Sequence, residues 1–184
     1  MRDTERFKFS GTVVDGVMDV EMLRLGDFRG DLVRVFTSKI KIINEYFPEG
    51  PKQVNLVKTD EAGTIRGLHW QSVREPEKGD VKLITCIQGS VFDVAFDTRP
   101  NSPSFQKFHS VELSAEKSNA VLIPPGVAHG MQALSDSSTL LYIHSSVYKP
   151  EAERGLYPLD KDLEIIWPRK VRWLSDRDEN LATL

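Results

Sequence analysis

Apolar and polar residues alternate along most of this chain in short runs, each closed by glycine, proline, asparagine, aspartate or serine. A period of two is the mark of a half-buried strand. It predicts strands over residues 18–25, 32–36, 53–59, 64–71, 81–87, 90–97, 105–113, 119–123, 129–133 and 139–148. Gly26-Asp27 and Arg29-Gly30-Asp31 mark a tight turn between the first two. Gln88-Gly89 reads as a hairpin signal between 81–87 and 90–97. Residues 90–97 are apolar on both parities, as in a strand packed on both faces. Two stretches depart from the alternation. Ser38 is placed to cap a short helix over 39–46 that ends before Pro48, and the chain from Pro150 onward is mixed and helix-capable. Short strands at nearly regular spacing indicate an all-β sandwich or barrel with small helical additions. No linker, repeat or low-complexity stretch divides residues 1–184, so one domain is expected.

Composition narrows function by exclusion. The net charge of −3 provides no basic balance to release counterions from a polynucleotide, so nucleic acid is not an expected partner. No apolar stretch approaches the length of a bilayer span, and the charged N-terminus lacks the apolar core of a signal peptide. A cytoplasmic protein with no membrane partner is the expectation. Cys86, alone in the sequence, leaves no internal disulfide or multi-cysteine zinc site, and its apolar neighbours predict a buried small hydrophobe.

The chemistry centres on Ile65-Arg66-Gly67-Leu68-His69-Trp70-Gln71. A permanent cation suited to phosphate stands three residues from a titratable imidazole, a pair suited to gripping an anion and moving a proton. The other histidines are His109, His129 and His144, and none forms the His-x-His pair of a metal-binding cupin, so no metal is expected. Neither a nucleophile elbow, a phosphate-binding glycine loop nor a dinucleotide fingerprint occurs. Histidine, lysine, tyrosine and aspartate on or beside strands remain, a set suited to proton transfer without a cofactor.

These residues stand in a recognisable order. Arg66–Gln71, Lys82-Leu83, Gly89–Asp97 and Leu113-Ser114-Ala115-Glu116 come first. Ile123-Pro124-Pro125-Gly126, His129-Gly130, Leu141-Tyr142, Tyr148, Glu153-Arg154-Gly155, Ile166-Trp167-Pro168 and Leu174-Ser175 with Asp178 follow. In this the chain resembles the dTDP-4-dehydrorhamnose 3,5-epimerase family of nucleotide-sugar epimerases, from about Asp27 to its end. The resemblance implies a cupin-like jelly roll, or double-stranded β-helix, with short peripheral helices, a homodimer, and a nucleoside-diphosphate 4-keto-6-deoxy sugar as substrate. It implies His69 as base, Asp178 as the carboxylate paired with it, and Tyr142 as the acid returning a proton to the other face. Lys82 and His129 match groups near the ketone oxygen. Arg66 and Arg29 match cations that hold the diphosphate, Gln53 and Asn55 match polar contacts to substrate, and Tyr148 an aromatic against the ligand.

Departures from the family pattern follow Arg29-Gly30. Leu32 replaces a ring that would pack on the ligand, and Arg34 stands where a glutamate is typical. An acid accepts from the imino N–H of thymine, whereas an arginine can only donate. Ile143 replaces the usual lysine after Tyr142, and the stretch 71–81 is slightly long. These differences predict a nucleotide or sugar other than dTDP-4-keto-6-deoxyglucose. Epimerisation at C3 or C5 alone, or a non-catalytic nucleotide-sugar-binding cupin, are the competing readings.

Overall fold

The structure, a computed structural model, describes residues 6–73 and 78–184. In chain order its strands begin with β1 (Phe7–Gly11), β2 (Met18–Met22), β3 (Arg24–Asp27), β4 (Gly30–Val33) and, after helix α1 (Lys41–Tyr46), β5 (Gln53–Thr59). There follow β6 (Ile65–Gln71), β7 (Lys82–Gln88), β8 (Ser90–Asp97), β9 (Phe108–Ser114), β10 (Asn119–Ile123), β11 (Val127–Ala133) and β12 (Ser138–His144). A short β13 (Glu153–Gly155) and helix α2 (Asp176–Glu179) close the chain. Two antiparallel sheets face each other, one ordered β1-β2-β10-β7-β12-β5 and the other β13-β6-β11-β8-β9, while β3 and β4 pair only with one another. This is the all-β jelly roll with short peripheral helices that the resemblance implies.

Strand parity sorts the core into layers. Ile84 and Cys86 on β7, Val121 and Ile123 on β10, and Leu140 on β12 meet Val91, Ala95, Leu113 and Met131 of the facing sheet. The opposite parity of the first sheet, with Leu83, Leu122 and Ile143, is covered by Ile43, Phe47 and their neighbours around α1. The outer parity of the second sheet, with Leu68, Val94 and Phe96, is covered by Leu156 and Leu163 from the C-terminal segment. Burial of both parities of β8 matches its pattern, and Cys86 is buried in the inner layer. Between the sheets the apolar layer stops where inward positions turn polar: Lys82 before Ile84 on β7, and Tyr142 and His144 after Leu140 on β12. A cavity of about 620 Å³ opens there.

Several local expectations are corrected. Gln88-Gly89 does not close a hairpin, because β7 already pairs with β10 and β12 and β8 with β11 and β9. The chain passes instead from one sheet to the other at Gly89, whose φ of +72° suits glycine. Ser38 does not cap α1; the cap position is Ile40, with no side-chain cap bond, and the helix is held by burial of Ile43. The strand expected over 18–25 divides after Met22, since β2 belongs to the first sheet and β3 to the separate hairpin. That hairpin ends its pairing at Arg24 and Val33, so 34–36 is not strand. Strands β1 and β13 escape the pattern, since the alternation of β1 covers only Phe7-Lys8-Phe9-Ser10 and β13 has three residues. Within the long stretch 71–81, residues 74–77 lie outside the described residues.

Candidate active site

Both sheets contribute to the cavity. His69 on β6 and His129 on β11 are cross-strand partners in the second sheet. From the first sheet come Gln53 and Asn55 on β5, Lys82 on β7, and Tyr142 and His144 on β12. In register, Tyr142 lies between Asn55 and Ile84, and His144 between Gln53 and Lys82. A polar row, Gln53–His144–Lys82, thus runs across that sheet beside the row Asn55–Tyr142–Ile84, with side chains on one face.

The position of His69 depends on glycine. A Cβ on Gly67, at φ +115°, would meet Gly130 Cα at 2.6 Å and His129 O at 2.7 Å. The absent side chains let β6 and β11 approach closely beside a register shift between His129 and Met131. His69 Nε2 lies 2.8 Å from Asp178 Oδ1, and the Gly67 N–H donates to Asp178 Oδ2 at 3.2 Å. Ser175 accepts from the Asp178 N–H as N-cap of α2, which seats this carboxylate against β6. A carboxylate only accepts, so Nε2 carries the proton and Nδ1 is left to act as base. Burial works to raise the Asp178 pKa, but the His69 and Gly67 hydrogen bonds outweigh it and hold the group below the ordinary carboxylate range.

The remaining groups are shielded from water. His129 is 5% exposed and its Nε2 donates to Asp93 Oδ2 at 2.7 Å. Burial lowers its pKa, against the opposing pull of Asp93. The second oxygen of Asp93 is buried without a hydrogen-bond partner among the described residues. Lys82 donates to the His69 carbonyl at 3.0 Å; burial lowers its pKa, while Asp80 and Asp93 pull it upward. Burial raises the Tyr142 pKa, and the negative charge of Asp93 adds to that. A neutral phenol therefore stands in the same pocket as the imidazole of His69. Arg66 reaches the cavity with its Nε donating to Thr59 Oγ1 at 3.0 Å and its Nη2 to the Lys58 carbonyl at 3.1 Å. Tyr148, half exposed at the rim, shares Glu153 with Arg177.

A sequence profile of the dTDP-4-dehydrorhamnose 3,5-epimerase family matches residues 11–184. The chain belongs to that family. A Streptomyces dTDP-4-dehydro-6-deoxyglucose 3-epimerase is 39% identical over 72% of this chain and 66% of its own length. The Shigella flexneri dTDP-4-dehydrorhamnose 3,5-epimerase is 37% identical over 92% and 91%. The chain thus spans just under two thirds of the first relative and nine tenths of the second. Among solved structures, the Legionella pneumophila dTDP-6-deoxy-D-glucose-3,5-epimerase in complex with dTDP-4-keto-L-rhamnose superposes with a TM-score of 0.85 at 32% identity. That match covers 96% of this chain and 92% of the other.

The cavity gathers His69, Asp178, Tyr142, Lys82, His129, Arg66, Gln53, Asn55 and Tyr148, the family-matched residues on the barrel and its C-terminal segment. It does not gather Arg29, Leu32 or Arg34. These belong to, or follow, the β3–β4 hairpin, which joins neither barrel sheet, and Arg29 is turned onto Asp27 at 2.5 Å. The Ile143 departure also misses the cavity, since its parity buries it under α1. Asp80, His144, Gln71, Ser146, Glu153 and Arg177 line the cavity without having been singled out for it. For His144 a signal existed: two residues beyond Tyr142 on one strand, it shares the same face. Among the described residues, no group of three or more histidine, cysteine, aspartate or glutamate side chains is arranged to hold a metal. No helix among them is long and apolar enough to cross a membrane.

Proposed function

We propose that this chain epimerises a dTDP-linked 4-keto-6-deoxy sugar at C3 and C5, without a cofactor. The observation that carries the reading is His69 on one sheet, paired with Asp178 of α2, and Tyr142 on the facing sheet of a single cavity. A ketone at C4 acidifies the hydrogens on both flanking carbons. His69 Nδ1 takes one as a proton, the C–H pair moves into an enolate, and the oxygen takes the negative charge. Tyr142 Oη gives a proton to the opposite face, the carbonyl re-forms, and the carbon is inverted. Asp178 fixes the His69 tautomer and favours the imidazolium, while Lys82 and His129 stabilise the enolate oxygen. Arg66 holds the diphosphate, and Gln53, Asn55 and Tyr148 contact the remainder of the substrate.

The active molecule is a homodimer in a cytoplasmic setting. Val54 and Leu56 are exposed on the outward parity of the edge strand β5, and Phe28 is almost fully exposed at the hairpin tip. The hairpin pairs with neither barrel sheet and its tip stands exposed, which supports a second reading of Arg29, Leu32 and Arg34: they reach substrate in the partner's cavity. On that reading Leu32 and Arg34 face the nucleotide of the partner's cavity, and the choice of base is read directly by the nucleotide panel below.

Incubation with dTDP-, GDP- and CDP-linked 4-keto-6-deoxy sugars in deuterated water, followed by NMR, tests the proposal. Label at C3 and C5 of the dTDP sugar is expected. Label at C3 alone would favour the one-centre reading, for which the similarity to the Streptomyces 3-epimerase speaks. Binding with no label at either carbon would leave a non-catalytic binder, and preference for GDP or CDP would overturn the nucleotide.

A further inference from the structure

The cavity contains a third histidine–aspartate pair that the reaction above does not use. His144 Nδ1 lies 2.6 Å from Asp80 Oδ2, and the Asp80 side chain is buried. The other Asp80 oxygen accepts from the N–H and hydroxyl of Ser146, each at 3.1 Å. Because a carboxylate cannot donate, Nδ1 carries the proton and Nε2 faces outward as an acceptor. Asn55 Nδ2 stands 3.4 Å from it. The amides continue the chain: Gln53 Nε2 donates to Asn55 Oδ1 at 3.2 Å, and Gln53 Oε1 accepts from the Tyr148 N–H at 3.0 Å. One buried carboxylate therefore orients, through His144, side chains assigned to substrate contact.

His144 also faces Tyr142. Their rings are parallel to within 8° at a centroid separation of 5.8 Å, an offset stack. The His129 ring meets the same phenol edge-on, at 77° and 5.7 Å. Among the described residues no hydrogen bond restrains the Tyr142 hydroxyl, so these ring contacts and the strand itself aim it. Cross-strand from His144 stands Lys82, whose charge Asp80 also supports.

We propose that His144, clamped by Asp80, is a positioning residue that aims Tyr142 at the sugar face opposite His69 and holds the Asn55–Gln53 pair toward substrate. The inference rests on Tyr142 as the returning acid. When Tyr142 Oη delivers its proton, the enolate pair forms the new C–H bond and the phenolate keeps the negative charge. The phenolate then takes a proton from solvent, and the His69 imidazolium gives one up. Stacking against a fixed ring holds the oxygen on line through this cycle. Loss of His144 therefore uncouples removal of a proton by His69 from its return by Tyr142.

The test compares solvent exchange with inversion on dTDP-4-keto-6-deoxyglucose in deuterated water. His144→Leu removes ring and relay together; His144→Gln offers polar atoms to Asp80 and Asn55 but no ring. For His144→Leu, exchange within about threefold of wild type, a raised KM and inversion per exchange event lower by about tenfold or more are expected. His144→Gln should restore KM while inversion per exchange stays low. Should His144→Leu fail to fold, His144→Gln carries the test by that ratio. An unchanged ratio in folded His144→Gln, or parallel loss of exchange and inversion, overturns the proposal. Absence of exchange in the wild-type protein would instead sink the acid–base reading on which it rests.

Discussion

Each of the four histidines gives one ring nitrogen to an aspartate, and three of these pairs border the cavity. The pairs have different consequences because their surroundings differ. Asp178 meets a part-exposed His69, whose second nitrogen can reach a substrate, whereas Asp93 and His129 are both buried. Replacing Asp178 by Asn frees the tautomer and removes the charge that favours the imidazolium. We expect kcat to fall by roughly a hundredfold or more with little change in nucleotide affinity, read by steady-state kinetics and dTDP titration. If Lys82 stabilises the enolate oxygen as proposed, Lys82→Met should lose about 2.7–4 kcal/mol of transition-state stabilisation, measured as kcat/KM. That His69, Lys82, Tyr142 and Asp178 share one cavity was legible because motif order in the sequence already separates them from ordinary strand residues. The Asp80–His144 pair was not, since its partners are 64 residues apart and meet only when β7 and β12 align.

Elements hold these side chains through a few unforgiving contacts. Gly67→Ala would drive a methyl group into the backbone of β11 at a positive φ. The expected cost is about 2–4 kcal/mol in urea unfolding, with loss of activity as His69 shifts away from Asp178. The turn after β8 is held differently. Asp97, fully buried, accepts from Arg99, Ser102 and Ser104, and although burial works to raise its pKa, these bonds win and lower it to about 2. A depressed pKa means that the folded state favours the anion. Its contribution, on the order of 2 kcal/mol, is therefore present above the ordinary carboxylate pKa and is lost as pH falls through about 2. Urea midpoints for wild type should drop between pH 5 and pH 2.5 by more than those of Asp97→Asn; equal drops would contradict the assignment. Alternation revealed most strands, since one buried face imposes a period of two. It could not say which strands pair, so Gln88-Gly89 looked like a hairpin and is a crossing between sheets.

At the scale of the whole molecule, the barrel and its C-terminal segment gather the proposed acid–base groups, the edge strand β5 shows an apolar outer face, and the β3–β4 hairpin pairs with neither sheet. Sedimentation should therefore report a dimer. Leu56→Asp places a charge on the exposed parity of β5 and should shift the protein toward monomer while its circular dichroism is unchanged. If Arg29 serves the partner's cavity, that monomer also loses nucleotide affinity; a fully active monomer would refute the assembly. The fold class was legible because short alternating runs admit few architectures, and the family order of motifs narrowed them to one. That Arg29, Leu32 and Arg34 lie outside the chain's own cavity was not, because linear order does not tell whether a hairpin pairs with the barrel. The central claim, proton removal by His69 beside a C4 ketone, is tested most directly by deuterium incorporation. Wild-type protein with dTDP-4-keto-6-deoxyglucose in deuterated water should label C3 and C5, and His69→Asn should label neither while still binding dTDP. Equal labelling by the two proteins would contradict the account.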